Sequence, residues 1–442
     1  MEKQTRRLTP TPPLGWNSFD SYGCVANEHV LLDNLEAMAL KLKPYGYTYF
    51  VVDNGWFAEY AVPHGARFPV VQHADDVRID EFGRYLPSNC HFPHGLQRLI
   101  DRTHALGLKF GIHLMRGISR KAVELNTPIH GTPYHAREIA DLSDTCAWCH
   151  YNYGVDMNKP GAQAFYDSVV RLLAEWGVDF IKADDITGFP AEIDALAHAI
   201  EKCGREIALS LSPGDQTVQE HLPIYGKANM LRTTSDIWDN GADLGKAFDK
   251  WAEYQDCMPE GCWLDLDMIP FGHLQVWKPK AQTASSQSEE LLNGKGSERM
   301  SGLNEHQKHT FITMRAMAAS PLFMGGDLVT SDPQSIALIT NEAMLGCNQN
   351  GIIGRRVSQQ AGIEMWATPK RFSLGEGWIG VFNRNPDPKR LRISRAELLL
   401  QSDQSYSIKD IWNDKLLEDQ PFYDIELAAD GVWFLSISCV SL

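Results

Sequence analysis

Residues 178–185 read V-D-F-I-K-A-D-D. Val178, Phe180 and Ile181 give the run the apolar core of a buried strand. Side chains alternate along a strand, so Phe180, Lys182 and Asp184 share one face while Ile181, Ala183 and Asp185 share the other. A lysine and a carboxylate then point into the same space at the strand's C-terminal end. By itself a K-x-D pair reads more often as a salt-bridged strand end. A second stretch shifts that balance. Residues 230–239 read M-L-R-T-T-S-D-I-W-D, and the same alternation puts Arg232, Thr234 and Asp236 on one face. Two strand ends, each with a cation behind a terminal carboxylate, predict a paired-carboxylate active site.

Outward from these stretches, strand-like and helix-like segments alternate. Strands are predicted at 13–19, 47–53, 108–114, 178–185, 206–212, 230–236, 262–265 and 321–324, and helices at 28–43, 95–106, 162–175, 190–203, 242–254, 305–319 and 333–344. Residues 116–153 show no periodicity and read as a long loop. Eight strand–helix repeats predict a (β/α)8 TIM barrel over 1–350, with catalytic groups at the C-terminal strand ends. Beyond it, short strand-like runs at 363–367, 377–383, 391–393, 406–411 and 431–436 predict a C-terminal antiparallel β-sandwich over 351–442.

A 442-residue chain suits a large barrel plus a smaller module. The net charge of −15 argues against nucleic acid or anionic membrane as the main partner. No apolar run is long enough to span a bilayer, and residues 1–13 lack the apolar core of a signal peptide, so the expected location is cytoplasmic. Nine scattered cysteines fit reduced thiols better than a disulfide framework. Cys146-Ala147-Trp148-Cys149-His150 matches a haem-attachment spacing, but no distal ligand accompanies it, and a loop dithiol or a chance match is the plainer reading. No metal site and no cofactor are expected.

The polar residues at the predicted strand ends are carboxylates, tryptophans and a few cations. That set suits a neutral polyhydroxylated substrate, a small molecule or an oligosaccharide, with hydroxyls held by carboxylates and Lys or Arg and a Trp face on ring C–H groups. Retaining glycoside hydrolysis needs two carboxyl groups about 5–5.5 Å apart, which strands four and six could supply.

Here a resemblance becomes specific. Thr11-Pro12-Pro13-Leu14-Gly15-Trp16-Asn17-Ser18-Phe19 resembles the opening signature of glycoside hydrolase family 27, the α-galactosidase and α-N-acetylgalactosaminidase family. Asp80-x-x-Gly83-Arg84, Phe92-Pro93-His94-Gly95, Leu108-Lys109-Phe110-Gly111-Ile112, Lys182-x-Asp184, Arg232 through Asp236, Trp263-x-Asp265-x-Asp267-Met268 and Ser320-Pro321-Leu322-Phe323-Met324 follow in the family's order. The resemblance implies Asp184 as nucleophile and Asp236 as acid/base. It also implies Trp16, Asp53, Asn54, His113, Lys182, Ser212, Arg232 and Asp267 around the sugar, with Trp16 lining the pocket. Asp185 competes for the nucleophile's role, but strand parity pairs Asp184 with Lys182. The sequence departs from the family in four places, one of them the absence of the disulfide-forming cysteine just after the nucleophile, where Ile186 stands nearby. Asp53-Asn54 replaces adjacent aspartates, His113 stands where a tyrosine is usual, and Ser212-Pro213 replaces a bulky Glu-Trp, leaving room for a 2-substituent. α-Galactosidase, α-N-acetylgalactosaminidase and β-L-arabinopyranosidase all stay open, as do a catalytically silent sugar-binding homologue and the oligomeric state.

Overall fold

A computed structural model describes residues 8–59, 76–145, 151–276 and 296–440. Cys146, Cys149 and His150 lie outside the described residues. Eight parallel strands form the central sheet: β1 (Leu14–Asn17), β2 (Tyr49–Val52), β3 (Lys109–Met115), β4 (Phe180–Asp184), β5 (Ala208–Leu211), β6 (Met230–Arg232), β7 (Trp263–Asp265) and β8 (Leu322–Met324). Their order is β7-β6-β5-β4-β3-β2-β1-β8. The seam closes just past β7, where Ile269 bridges Met324 in parallel and its backbone N–H donates to Phe323 O at 2.8 Å. The sheet is therefore a barrel.

Parity along each strand sorts the side chains. Phe50, Val52, Ile181, Ala183, Leu209, Leu211, Leu231 and Leu264 face outward into the core shared with the helices. Tyr49, Val51, Phe180, Ala208, Met230, Trp263 and Phe323 form a separate cluster inside the barrel. Tyr49, Phe180 and Phe323 make its floor, with ring centroids 5.2–6.4 Å apart. Above that floor the interior positions Asn17, His113, Lys182, Asp184, Ser210, Arg232 and Asp265 are polar or charged. The change from aromatic to charged side chains places the site at the C-terminal mouth.

The helices follow the expected positions: α1 (Glu28–Lys41), α2 (Gln97–Ala105), α3 (Ala162–Trp176), α4 (Pro190–Lys202), α5 (Gly241–Tyr254), α6 (Glu305–Met317), α7 (Pro333–Ile339) and α8 (Glu342–Gln349). On α3, Phe165, Val169 and Leu173 recur every four residues and are buried, as an amphipathic helix against a sheet requires. The expected single helix at 333–344 is two, because the Asn341 side chain caps a new start by accepting from Met344 N–H. The stretch 116–153 is not a bare loop. It holds a short helix, Arg120–Leu125, and a three-stranded sheet of Ile118–Ser119, Ala140–Thr145 and Asn152–Val155. These pieces are too short to show a period.

After α8 come β9 (Arg355–Gln360), β10 (Ile363–Pro369), β11 (Gly377–Asn383), β12 (Lys389–Ser394), β13 (Ser405–Asp410), β14 (Lys415–Leu417), β15 (Phe422–Leu427) and β16 (Val432–Val440). Six of them form one antiparallel sheet, β9-β10-β11-β16-β13-β14, and β12 pairs with β15. One face of the larger sheet packs with β12–β15 through Met365, Ile379, Val381, Ile393, Tyr423 and Leu435. The other face lies on the barrel: Trp366 stacks on Trp251 of α5 with centroids 3.6 Å apart and planes 17° apart. Strands β9, β14 and β15 escape a sequence reading because β9 is polar and fully exposed and the other two mix charges into their patterns.

Candidate active site

β4 ends on the face that parity assigned. Lys182 and Asp184 point into the barrel mouth, and Lys182 Nζ donates to Asp53 Oδ2 at 2.7 Å. Asn17 Nδ2 donates to the same oxygen at 2.7 Å, and Asn54 N–H to Asp53 Oδ1 at 2.8 Å. Burial opposes the Asp53 charge, but Lys182 and His113 outweigh it and hold the carboxyl below its usual range. The same partnership raises the Lys182 ammonium despite its burial.

Asp184 accepts from His113 Nε2 at 3.1 Å, Ser212 Oγ at 2.9 Å and Asp185 N–H at 3.0 Å. Burial again works against the charge. The His113 hydrogen bond and the charges of Lys182 and Arg232 prevail, so the carboxyl is held well below the usual carboxylate value. Asp185 turns the other way. Its backbone takes φ 58°, and its carboxylate pairs with Arg116 at 3.0 Å, beside Glu192 and Asp144 on the same guanidinium. Asp185 is thus fully engaged outside the cavity.

β6 stops at Arg232, so the predicted alternation through Thr234 to Asp236 is a misreading of a loop as strand. Asp236 still meets Arg232, because the chain turns within four residues and brings the carboxylate back onto Nη2. Gly214 fixes that turn from the β5 side. Its N–H donates to Thr234 O at 2.9 Å, and a Cβ there would stand 2.2 Å from Thr234 backbone atoms. Arg232 also pairs with Asp267 at 3.0 Å, whose Oδ2 accepts Ile237 N–H at 2.8 Å. Burial, with Asp236 and Asp265 nearby, pushes the Asp267 carboxyl up to about 6 against the pull of Arg232.

These groups line a cavity of about 420 Å³ that contains Asp53, Asn54, Lys182, Asp184, Arg232, Asp236 and Asp267. Within it the two candidate catalytic carboxylates differ: the Asp184 side chain is 13 % exposed, that of Asp236 47 %. One is enclosed and held ionised; the other is open to water.

Three expected positions fall elsewhere. Trp16, expected to line the pocket, does not: it faces outward with Phe50, stacked at 4.9 Å, and its Nε1 donates to Gly326 O. The parity that turned Asp184 inward turns Trp16 outward. His113 is fully buried beneath Asp184 rather than at the cavity wall. Ser212 is also buried, with its hydroxyl directed to Asp184. Phe19, Asp20, Asp215, Trp238, Lys246 and Met268 line the cavity without having been singled out. Phe19 and Asp20 lie two and three residues past β1, a signal the sequence did hold; the others depend on how loops fold back over the mouth.

The chain is similar along its whole length to known enzymes. It shares 34 % identity and a TM-score of 0.88 with a β-L-arabinopyranosidase of glycoside hydrolase family 27 from Geobacillus stearothermophilus in complex with arabinose, covering 99 % of each chain. The chain belongs to glycoside hydrolase family 27. Among curated relatives of this family 27 chain, the α-galactosidase of Cyamopsis tetragonoloba is 25 % identical over 92 % of the chain and 80 % of its own length. Human α-N-acetylgalactosaminidase is 25 % identical over 97 % and 92 %. No family model matches the chain. This family 27 chain is therefore a glycoside hydrolase with a TIM barrel and a C-terminal β domain. No described helix is long and apolar enough to cross a membrane, and Cys203, Cys257, Cys262, Cys347 and Cys439 are free thiols.

Proposed function

We propose that the protein removes terminal galactose-configured sugars with retention of configuration, using Asp184 as nucleophile and Asp236 as acid/base. The observation that carries this reading is the asymmetry of the two carboxylates across one cavity. A nucleophile must stay ionised, and Asp184 is held so by three hydrogen bonds and two cations. An acid/base must exchange protons with a leaving oxygen and then with water, which the exposed Asp236 can do. In the first step the Asp184 carboxylate attacks the anomeric carbon, the glycosidic C–O bond breaks, and Asp236 gives its proton to the departing oxygen. In the second, Asp236 takes a proton from water, the oxygen of which displaces Asp184. Lys182 and Asp53 would hold ring hydroxyls, and Arg232 would orient Asp236 and Asp267. The catalytic unit would be residues 1–350, with 351–442 as a supporting β domain.

Within that class, β-L-arabinopyranosides are the substrate that two observations favour. β-L-Arabinopyranose is α-D-galactopyranose without its hydroxymethyl group, and the structural neighbour at 34 % identity is a β-L-arabinopyranosidase. Asn54 also stands on the cavity wall where the family pattern has a second aspartate, which removes one charged hydroxyl partner. N-acetylgalactosaminides fit less well, because the Ser212 hydroxyl already bonds Asp184.

The test compares kcat/KM on the 4-nitrophenyl α-D-galactoside, α-N-acetylgalactosaminide and β-L-arabinopyranoside, with product configuration read by proton NMR. Asp184→Ala should be inactive, and azide should restore turnover with an inverted glycosyl azide product. Inverted configuration in the native reaction, or full activity in Asp184→Ala, rejects the assignment.

A further inference from the structure

Six carboxylates, Asp20, Asp53, Asp184, Asp215, Asp236 and Asp267, line the cavity together with the buried cations Lys182 and Arg232. Pairing uses up both cations. Lys182 takes Asp53, Arg232 takes Asp236 and Asp267, and Asp184 rests on His113, Ser212 and a backbone N–H. Two other charges on the wall are unsuited to help: Lys246 pairs with Asp243, and Asp215 has the same sign. Asp20 is left over. It is 2 % exposed, and its Oδ2 is buried with no hydrogen-bond partner among the described residues.

The position of that carboxyl is built rather than incidental. Its backbone carbonyl accepts two hydrogen bonds from Gln275, N–H at 2.9 Å and Nε2 at 2.8 Å. Gly325, just past β8, makes room for the carboxylate: a Cβ there would stand 1.9 Å from Asp20 Oδ2. Two elements hold a polar group at a cavity wall and give it nothing to bond. A buried polar group is normally satisfied, so a carboxyl that lines a cavity with one oxygen unpaired points to a partner that arrives with the ligand.

Barrel order says which part of the ligand. Asp20 follows β1, whereas Asp184 ends β4 and Asp236 follows β6, on the other side of the ring β7-β6-β5-β4-β3-β2-β1-β8. A sugar with its anomeric carbon between Asp184 and Asp236 directs its opposite edge, C3 to C5, toward β1. We infer that Asp20 is a substrate-contacting residue whose carboxyl hydrogen-bonds a hydroxyl on the non-anomeric edge of the sugar. Burial first, then the Asp267, Asp236 and Asp53 carboxylates, raise its proton affinity well above normal, against the pull of Lys182. That direction favours the neutral acid, which makes the carboxyl the donor of the inferred contact. The inference rests on the reading of this cavity as the sugar site.

The experiment uses the full chain as native protein, Asp20→Ala and Asp20→Asn. It measures kcat/KM on the 4-nitrophenyl α-D-galactoside and β-L-arabinopyranoside, inhibition by free galactose and arabinose, and Tm. Asp20→Ala should lose on the order of 10–10²-fold in kcat/KM, mostly through KM, with matching loss of inhibition by the free sugar and no fall in Tm. Asp20→Asn keeps a neutral donor of the same shape and should stay within about threefold of native. If the native protein cleaves neither glycoside, the reading of the site fails and this inference with it. If the native protein is active and Asp20→Ala keeps its kcat/KM within about twofold, the contact alone is overturned. Parallel loss of activity and Tm in both variants would also overturn it, since that marks a structural role. Loss in both variants at unchanged Tm would reject the neutral donor.

Discussion

Replacing His113 with phenylalanine isolates what keeps the proposed nucleophile charged. His113 Nε2 donates to Asp184 Oδ2 at 3.1 Å, and the ring is fully buried, so Phe fits the space and removes only the donor. A hydrogen bond to a charged group contributes about 1.5–3 kcal/mol, and one pKa unit corresponds to about 1.4 kcal/mol. Loss of the bond should therefore raise the Asp184 pKa by about one to two units. Ser212, the Asp185 N–H, Lys182 and Arg232 remain in place, which argues for the lower figure. The direction is fixed by sign: the native carboxyl is depressed, so the nucleophile stays ionised far into acid, and the variant brings its titration back toward the ordinary 3.8. The assay is kcat/KM on a nitrophenyl glycoside from pH 2 to 7, by brief dilution into each buffer, with Tm recorded alongside. The acid limb should move to higher pH by about one unit, so that kcat/KM at pH 2 relative to that at pH 6 falls about twofold or more below the native ratio. An unchanged profile shape in a folded, active His113→Phe protein would refute the argument that this histidine sets the charge of Asp184.

Three more predictions follow from burial and charge. Asp267 has a folded pKa raised to about 6, so it adds stability below the unfolded value near 3.8 and that contribution is lost as pH rises through about 6. Asp267→Asn should flatten the fall in unfolding free energy between pH 4 and 7, and an unaltered slope in urea titrations would count against it. Arg315 is fully buried and its Nε, Nη1 and Nη2 have no hydrogen-bond partner among the described residues, so Arg315→Met should hold or raise stability at pH 7, by about 1–3 kcal/mol; a clear drop in Tm would show that its attraction to Asp265 and Asp267 outweighs desolvation. Trp366→Ala should cost about 3–5 kcal/mol, because it removes a fully buried ring stacked on Trp251 at the barrel–β-domain contact. Calorimetry should show that loss as a lower Tm, and a change under about 1 kcal/mol would mean the contact contributes little.

The sequence by itself determined the strand–helix alternation and the inward face of β4. Both are local, since burial on one face writes a period of two into a strand and of 3.6 into a helix. That parity chose Asp184 over Asp185 and paired it with Lys182. Applied to β1, the same rule would have turned Trp16 outward, where it stacks on Phe50. Tertiary structure decided the rest, because those features arise from distant segments meeting. Asp236 reaches Arg232 through a loop turn propped by Gly214, not through strand alternation. His113 and Ser212 converge on one carboxylate from β3 and from the residue after β5, a contact set by strand order and register. Among the described residues Asp20 is left unpaired because Lys182 and Arg232 have been claimed by residues that follow β2, β6 and β7. Which charges neutralise which is a property of the closed barrel, since only closure brings eight strand ends to one mouth at low dielectric.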